Sequence, residues 1–401
     1  MIFGHNVEKI RQDFPMLSKK MIYFDNACMS LKPKQVIDRM NEYYTDYTAC
    51  AGRSNHFLSK KVEHEVHVAR NEVKNFVNAR KDEEIIFTRN TTEGINLVAN
   101  GFGFKKGDNV LISDKEHNSN LIPWLKLKKN IGITVSHVKS KSDNTFDIEA
   151  FSSSFTNNTR LVSIVHTSNL DGVTNPIREI AKICHENGAF LLVDGAQSVP
   201  GKKVDVKTLG CDFLSFSGHK MCGPTGTGVL YGRTELLHRM EQYTVGGETV
   251  LDSSYSDYTP EKVPNRFEAG LQDYAGIIGL GEACRYLKKV GLDNIEKHEV
   301  KLNSFITGKL SSHKNIHVLG PESALQRSGI YSFTIDKVDI HHVSKMLDVS
   351  KRIMVRSGAH CVHSWFNEHK MKGSVRASLY LYNTEAEAQV FCDEIGKIVK
   401  I

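Results

Sequence analysis

The chain contains no hydrophobic run approaching the ~20 residues needed to span a bilayer, and its opening stretch from Met1 to Lys9 is too polar for a secretory leader. It also lacks a charge bias. The 52 basic and 46 acidic side chains leave a net +6 with no long basic run, so neither a nucleic-acid nor a membrane partner is expected. The eight cysteines, at 28, 50, 184, 211, 222, 284, 361 and 392, form no CxxC pair and no dense framework. Zinc-finger, iron–sulfur-ligand and disulfide-scaffold readings are thereby excluded. Such cysteine usage in a chain of 401 residues without a leader fits reduced thiols in the cytosol. No internal repeat is visible. The length exceeds one small domain and allows a large α/β unit with a smaller one appended.

What the chain does have is concentrated around Lys220. The apolar segment Phe213–Phe216 reads as a buried strand, and it runs through Ser217, Gly218 and His219 to Lys220. A Gly-rich turn follows, then a second apolar run from Val229 to Tyr231. A lysine held where a strand meets a tight turn is placed to form a Schiff base with an aldehyde cofactor such as pyridoxal phosphate, although alone it also reads as an ordinary surface residue. Upstream, the apolar run Phe190–Val193 ends in Asp194, at the carboxyl edge where open α/β sheets place ligands. A carboxylate there can keep a pyridinium nitrogen protonated, or simply cap a turn. Gln197 has the donors and acceptors to meet a ring oxygen.

Further segments repeat the pattern of strand followed by polar turn. Glu84–Thr88 reads as a strand, and Asn90 with Glu93 three residues on resembles a capping box, which puts Thr91 and Thr92 in the first helical turn. Free N–H groups and two hydroxyls at that position suit a phosphate, or capping alone. His117 follows the strand Asn109–Ser113, and Asn169 follows the strand Leu161–Val165. Strands alternating with helices in this way predict a mostly parallel sheet with right-handed crossovers. Near the C-terminus, Cys361 lies on a turn with Arg356, His360 and His363 around it. That setting favours a nucleophilic thiol. An inert buried cysteine is the plain alternative, and a metal site built from His360, Cys361 and His363 is disfavoured by spacing and by the lack of a fourth ligand, so no metal is expected.

From Tyr23 to Asn383 the chain resembles the class V aminotransferase-fold pyridoxal phosphate enzymes, and more narrowly the group II (Suf-type) cysteine desulfurases, which are themselves similar to selenocysteine lyases. The motifs carrying the resemblance are the Lys220 and Asp194 segments, Arg266–Gly270, the Arg-Ser-Gly-x-x-Cys run ending at Cys361, and the Arg-x-Ser at Arg376. The resemblance implies the aspartate aminotransferase-like fold (fold type I). Its large domain would hold a mostly parallel seven-stranded sheet over residues 21–294, and a smaller α/β domain over residues 295–401 would carry the cysteine loop. Residues 1–20 would pack with the smaller domain.

For the site, the resemblance implies Lys220 as the lysine bearing the cofactor and His117 stacked on the cofactor ring. Asn169 and Gln197 would meet the ring oxygen and Asp194 the ring nitrogen. Thr91, Thr92, Ser217 and His219 would surround the phosphate. Arg376 would grip the substrate carboxylate, with Arg356 as a second contact and Asn26 as a lining residue. Cys361 would carry the persulfide. The implied reaction converts L-cysteine to L-alanine, passing sulfur to an acceptor protein for iron–sulfur cluster assembly or another use, in a homodimer. A selenocysteine lyase, a cysteine-sulfinate desulfinase or a kynureninase-like enzyme would share Lys220 and Asp194, and a non-catalytic sulfur-relay scaffold is a reading of another class. Two segments depart from the family pattern. Arg53–His56 does not match, and Leu271 stands where relatives place a threonine that reaches the partner subunit's phosphate site.

Overall fold

A computed structural model describes residues 6–400. After a short strand β1 (Ile22–Tyr23) come seven strands whose residues are mostly apolar: β2 (Ile85–Thr88), β3 (Asn109–Ser113), β4 (Thr134–Val138), β5 (Thr159–Val165), β6 (Phe190–Asp194), β7 (Phe213–Ser217) and β8 (Gly228–Gly232). All but β4 are buried almost throughout. Such runs suit a sheet covered on both faces, and they form one sheet in the order β2-β8-β7-β6-β5-β3-β4. Only β8 runs against the other six. Along the strands, neighbours alternate between two cores: Leu214 and Phe216 join one and Phe213 the other, just as Leu111 opposes Val110 and Ile112. Strand β4, at the edge, is the half-exposed one.

A surface hairpin of β9 (Val250–Ser253) and β10 (Tyr258–Pro260) stands apart from the main sheet. Its residues are exposed, so no alternation of apolar and polar positions marks it in the sequence. The remaining strands are β11 (Ile316–Val318), β12 (Ile330–Ile335), β13 (Ile353–Met354), β14 (Arg356–Gly358) and β15 (Ser374–Ser378). Four of them form a second, antiparallel sheet in the order β11-β12-β15-β14, while β13 pairs in parallel with β1. The long helix Leu292–Leu310 joins the two parts: Ile295 lies in the core of the main sheet, whereas Leu302, Ile306 and Leu310 lie in the core of the second.

Residues 6–20, expected against the C-terminal region, straddle both parts; residues 1–5 lie outside the described residues. The Phe14 ring packs 5.9 Å from Tyr286 and 4.6 Å from Tyr382, and Arg11 pairs with Glu387 at 2.9 Å. The Asp13 carboxylate accepts from the Tyr286 hydroxyl at 2.9 Å.

The Arg266–Gly270 segment proves to be a structural tie. Glu268, 6 % exposed, accepts two parallel bonds from Arg70 at 2.7 and 2.9 Å and a third from the Phe87 N–H at 2.7 Å. Arg70 also donates to the Ile85 carbonyl and lies over the Phe87 ring. The pair thus fastens strand β2 from one side. Glu268→Ala leaves a buried guanidinium without its counter-ion and should cost about 3–5 kcal/mol of stability. Denaturant titration of the two proteins checks this, and a loss below about 1 kcal/mol would refute it.

Candidate active site

Because β5, β6 and β7 all end on the same side, their last residues and following turns open into one cleft. A cavity of about 270 Å³ there is lined from the sheet side by Val165, Asn169, Asp194, Gln197, Ser217, His219 and Lys220, and by Thr91, Thr92, His117 and Ser119 from two helix starts. Ala27, Cys28, Arg356, His360, Cys361 and Arg376 close it from the chain's two ends. Residues separated by more than three hundred positions thus meet in one small space. A larger cavity of about 450 Å³ lies against Val135, His137 and Trp365 and holds none of the predicted site residues.

Lys220 ends a short 3-10 turn, Gly218–Lys220, directly after β7. The turn needs Gly218, since a Cβ there would stand 2.2 Å from the Thr227 hydroxyl. Burial lowers the Lys220 amine below its usual pKa, and the Asp194 charge partly opposes this. Asp194 is itself buried, which raises its carboxyl despite a 2.9 Å bond from the Ala196 N–H and the lysine nearby. A desolvated carboxylate beside a cleft gains most from a cationic partner, as a protonated ring nitrogen would be. Gln197 spends its amide N–H on the Ala27 carbonyl at 2.7 Å, which fixes its direction.

The anion end is built at the helix Thr91–Gly101. Asn90 caps it, accepting from the Glu93 N–H at 3.0 Å, while the Glu93 carboxylate reaches the Arg89 N–H rather than that of Asn90. The capping box is therefore half formed. Thr91 donates its N–H to Ser217 Oγ at 2.9 Å, their hydroxyls lie 2.6 Å apart, and those of Thr92 and Ser119 lie 2.7 Å apart. Hydroxyls gathered at the positive end of a helix suit a phosphate. Gly228 permits the approach, because a Cβ on it would be 2.6 Å from Asn90 Cα.

His117 caps the helix Asn118–Ile131 with its ring, Nδ1 accepting from the Ser119 N–H at 3.0 Å. That bond fixes the neutral ring as the Nε2–H tautomer. Burial, then Lys220 and Arg376, push its pKa down to about 3, so the ring is neutral at physiological pH. His219 is likewise lowered, to about 4, by burial and by Lys220 and Lys32. Behind His117 the wholly buried Glu116 accepts from Ser113 Oγ, Asn120 Nδ2 and the Val165 N–H, tying the ends of β3 and β5 together. Ser119 and Cys28 line this cavity although no motif marks them in the sequence.

Arg376, on β15 and 2 % exposed, donates from Nη1 to the Asn169 carbonyl at 3.0 Å and has Asp25 at 3.5 Å from Nη2; its Nε is buried without a partner. Arg376 lines the cavity, and a guanidinium there suits a carboxylate. Arg356 has Asp25 at 3.8 Å from its Nε and donates from Nη1 to Cys28 Sγ at 3.1 Å. Asn169 gives its side-chain N–H to the His360 carbonyl at 2.8 Å, and Asn118 gives its backbone N–H to the Cys361 carbonyl at 2.7 Å. These two bonds hold His360 and Cys361 in successive left-handed conformations, φ 48° and 60°, which non-glycine residues seldom adopt. The loop presents the Cys361 side chain to solvent at the cleft mouth. Its neighbours are turned elsewhere: His360 Nε2 meets Ser374 Oγ at 2.8 Å, and His363 Nδ1 accepts from Asn118 Nδ2 at 2.9 Å.

Asn26 lines a smaller, separate cavity with Ala27, Gln197 and Lys220. It does not line the cavity that holds Arg376 and Cys361: its amide donates to the Ser378 carbonyl at 2.7 Å and to Asn383 Oδ1 at 3.1 Å, and its side-chain carbonyl accepts from the Tyr382 hydroxyl. Both side-chain polar atoms fasten the N-terminal segment to residues 378–383, and Ala27 and Cys28 line the larger cleft. Leu271 is 66 % exposed and lies on a different cavity, beside Phe87, Arg89 and Gln272. His56 caps the helix Phe57–Val77, and Arg53 pairs with Glu248.

Residues 22–391 match the family described as aminotransferase class-V. A probable cysteine desulfurase of Halalkalibacterium halodurans is 40% identical over 98% of each chain. Among solved structures, an apo cysteine desulfurase from Thermococcus onnurineus superposes with a TM-score of 0.94 at 39% identity, covering 98% of both chains. A cysteine desulfurase of Escherichia coli, in an S-sulfonic acid form, superposes with a TM-score of 0.92 at 29% identity over 98% of both. With the fold, the strand-end lysine and these relatives in agreement, the chain belongs to the aminotransferase class-V family.

Proposed function

We propose that the protein is a pyridoxal-phosphate-dependent cysteine desulfurase, releasing L-alanine from L-cysteine and retaining the sulfur as a persulfide on Cys361. The observation that carries this reading is the meeting of Lys220, Arg376 and Cys361 around one cavity. Asp194 and the hydroxyls at the helix start would hold the cofactor, which would supply an electron sink when bound. Everything else falls to the chain. Arg376 takes the substrate carboxylate with its guanidinium, which holds the amino acid in the cavity that Lys220 also lines. The Lys220 amine, its pKa lowered by burial, accepts the substrate Cα proton. Cys361 Sγ then attacks the substrate sulfur: an S–S bond forms, the C–S bond breaks, and its electron pair stays with the substrate Cβ, which takes up a proton to become the methyl group of alanine.

Support for the wider assignments is of the same kind. An exposed Cys361 is reachable by a sulfur-acceptor protein, and the exposed apolar side chains of Phe57, Leu251 and Leu271 support a homodimer. No helix among the described residues is long and apolar enough to cross a membrane, which is in keeping with a place in the cytosol.

Incubation with L-cysteine and a reductant, assaying alanine and sulfide together, tests the activity; equal yields are expected, and alanine without sulfide would overturn it. Arg376→Ala should raise KM for L-cysteine more than tenfold, since a charge-assisted bond is worth about 1.5–3 kcal/mol. An unchanged KM would transfer the carboxylate to Arg356.

A further inference from the structure

The desulfurase reading leaves Cys28 without a task. This thiol is half-buried, lines the same cavity as Lys220 and Cys361, and receives the Arg356 guanidinium at 3.1 Å. The other six cysteines stand apart from that cavity: Cys184, Cys211, Cys222, Cys284 and Cys392 are buried, and Cys50 is exposed elsewhere. Burial pushes Cys222 and Cys392 up to about 12 and the other three buried thiols higher still, so they are inert. Two thiols therefore share the cleft, one open to solvent and one sheltered beneath an arginine. Arg356 and Arg376 both line the cleft and the single carboxylate of Asp25 faces the two of them, so the excess positive charge favours an anionic sulfur species.

We propose that Cys28 is a second sulfur carrier, which takes the outer sulfur of the Cys361 persulfide and keeps it inside the cleft under Arg356. The Cys28 sulfur attacks the outer sulfur of Cys361–S–SH and forms a new S–S bond; the bond within the Cys361 persulfide breaks, and its electron pair leaves with Cys361 as the thiolate. The proton of the Cys28 thiol goes to that departing sulfur. One sulfur atom moves between two cysteines without net oxidation, so no oxidant or reductant is needed. Cys361 is thereby free to accept a second sulfur, and each chain stores two. The inference rests on Cys361 being the first carrier.

The test uses the full-length protein loaded with pyridoxal phosphate, given L-cysteine without acceptor or reductant, quenched with iodoacetamide and digested for peptide mass mapping. The expected result is one added sulfur on each of the Cys28 and Cys361 peptides, so that each chain carries a pair. Cys361→Ala should carry sulfur on neither, and Cys28→Ala on Cys361 alone. Sulfur on Cys361 with none on Cys28 in the unaltered protein would refute the second carrier and leave the desulfurase reading standing. Sulfur on Cys28 in Cys361→Ala would refute the relay, because Cys28 would then take it directly from substrate. Sulfur on no cysteine would remove the desulfurase reading, and this proposal with it.

Discussion

With Lys220 replaced by alanine, the protein should still take up pyridoxal phosphate yet form alanine and sulfide at no more than about a thousandth of the native rate. Two losses combine. A positioned base contributes about 10²–10⁴-fold, and the covalent anchor of the cofactor goes with it. Uptake persists because Asp194 and the hydroxyls of Thr91, Thr92 and Ser217 belong to other elements and keep their own bonds. Borohydride treatment of the loaded native protein should fix the pyridoxyl group to the Lys220 peptide, with no fixed group in the variant. Activity within about tenfold of native, or a label on another lysine, would transfer the role elsewhere.

Cys361→Ser should reduce both products from L-cysteine at least roughly hundredfold while leaving cofactor uptake intact. Serine keeps the shape of the loop, and the bonds from the Asn118 N–H and from Asn169 act on backbone atoms that the substitution does not touch. What changes is the attacking atom, since a hydroxyl does not form a persulfide. Cofactor absorbance and the two product assays on the same preparation separate the outcomes. Unchanged sulfide release would mean that another group accepts the sulfur.

The main sheet was legible because buried parallel strands leave continuous apolar runs, and each run ended in the polar residue that the cleft uses: Asp194, Ser217, and the turns before Asn169 and His117. Chemistry and periodicity coincided there. At the N-terminal turn they did not. Asn26 and Cys28 lie two positions apart with no repeating period to say which faces inward, and the choice is made by Ser378, Tyr382 and Asn383 from the far end of the chain. Asp25 between two arginines was invisible for the same reason. The helix Leu292–Leu310 reads as one amphipathic element, and nothing local reveals that its two halves enter different cores.

The pairing of β1 with β13, reinforced by the bond from Asn26 to Ser378 across 352 positions, sets an order of events during synthesis. At about 5–20 residues per second, the first strand leaves the ribosome roughly 20–70 s before the strands that hold it. Through that interval Phe24, fully buried in the finished protein, has no core to enter, and the Cys28 thiol has no arginine over it. The main sheet can assemble meanwhile, since all its strands lie before residue 233. The nascent chain would thus pass through a state with the lysine shelf formed and the arginine wall absent, able to meet the cofactor but unable to grip an amino acid, until the segment carrying Arg356 and Arg376 is released.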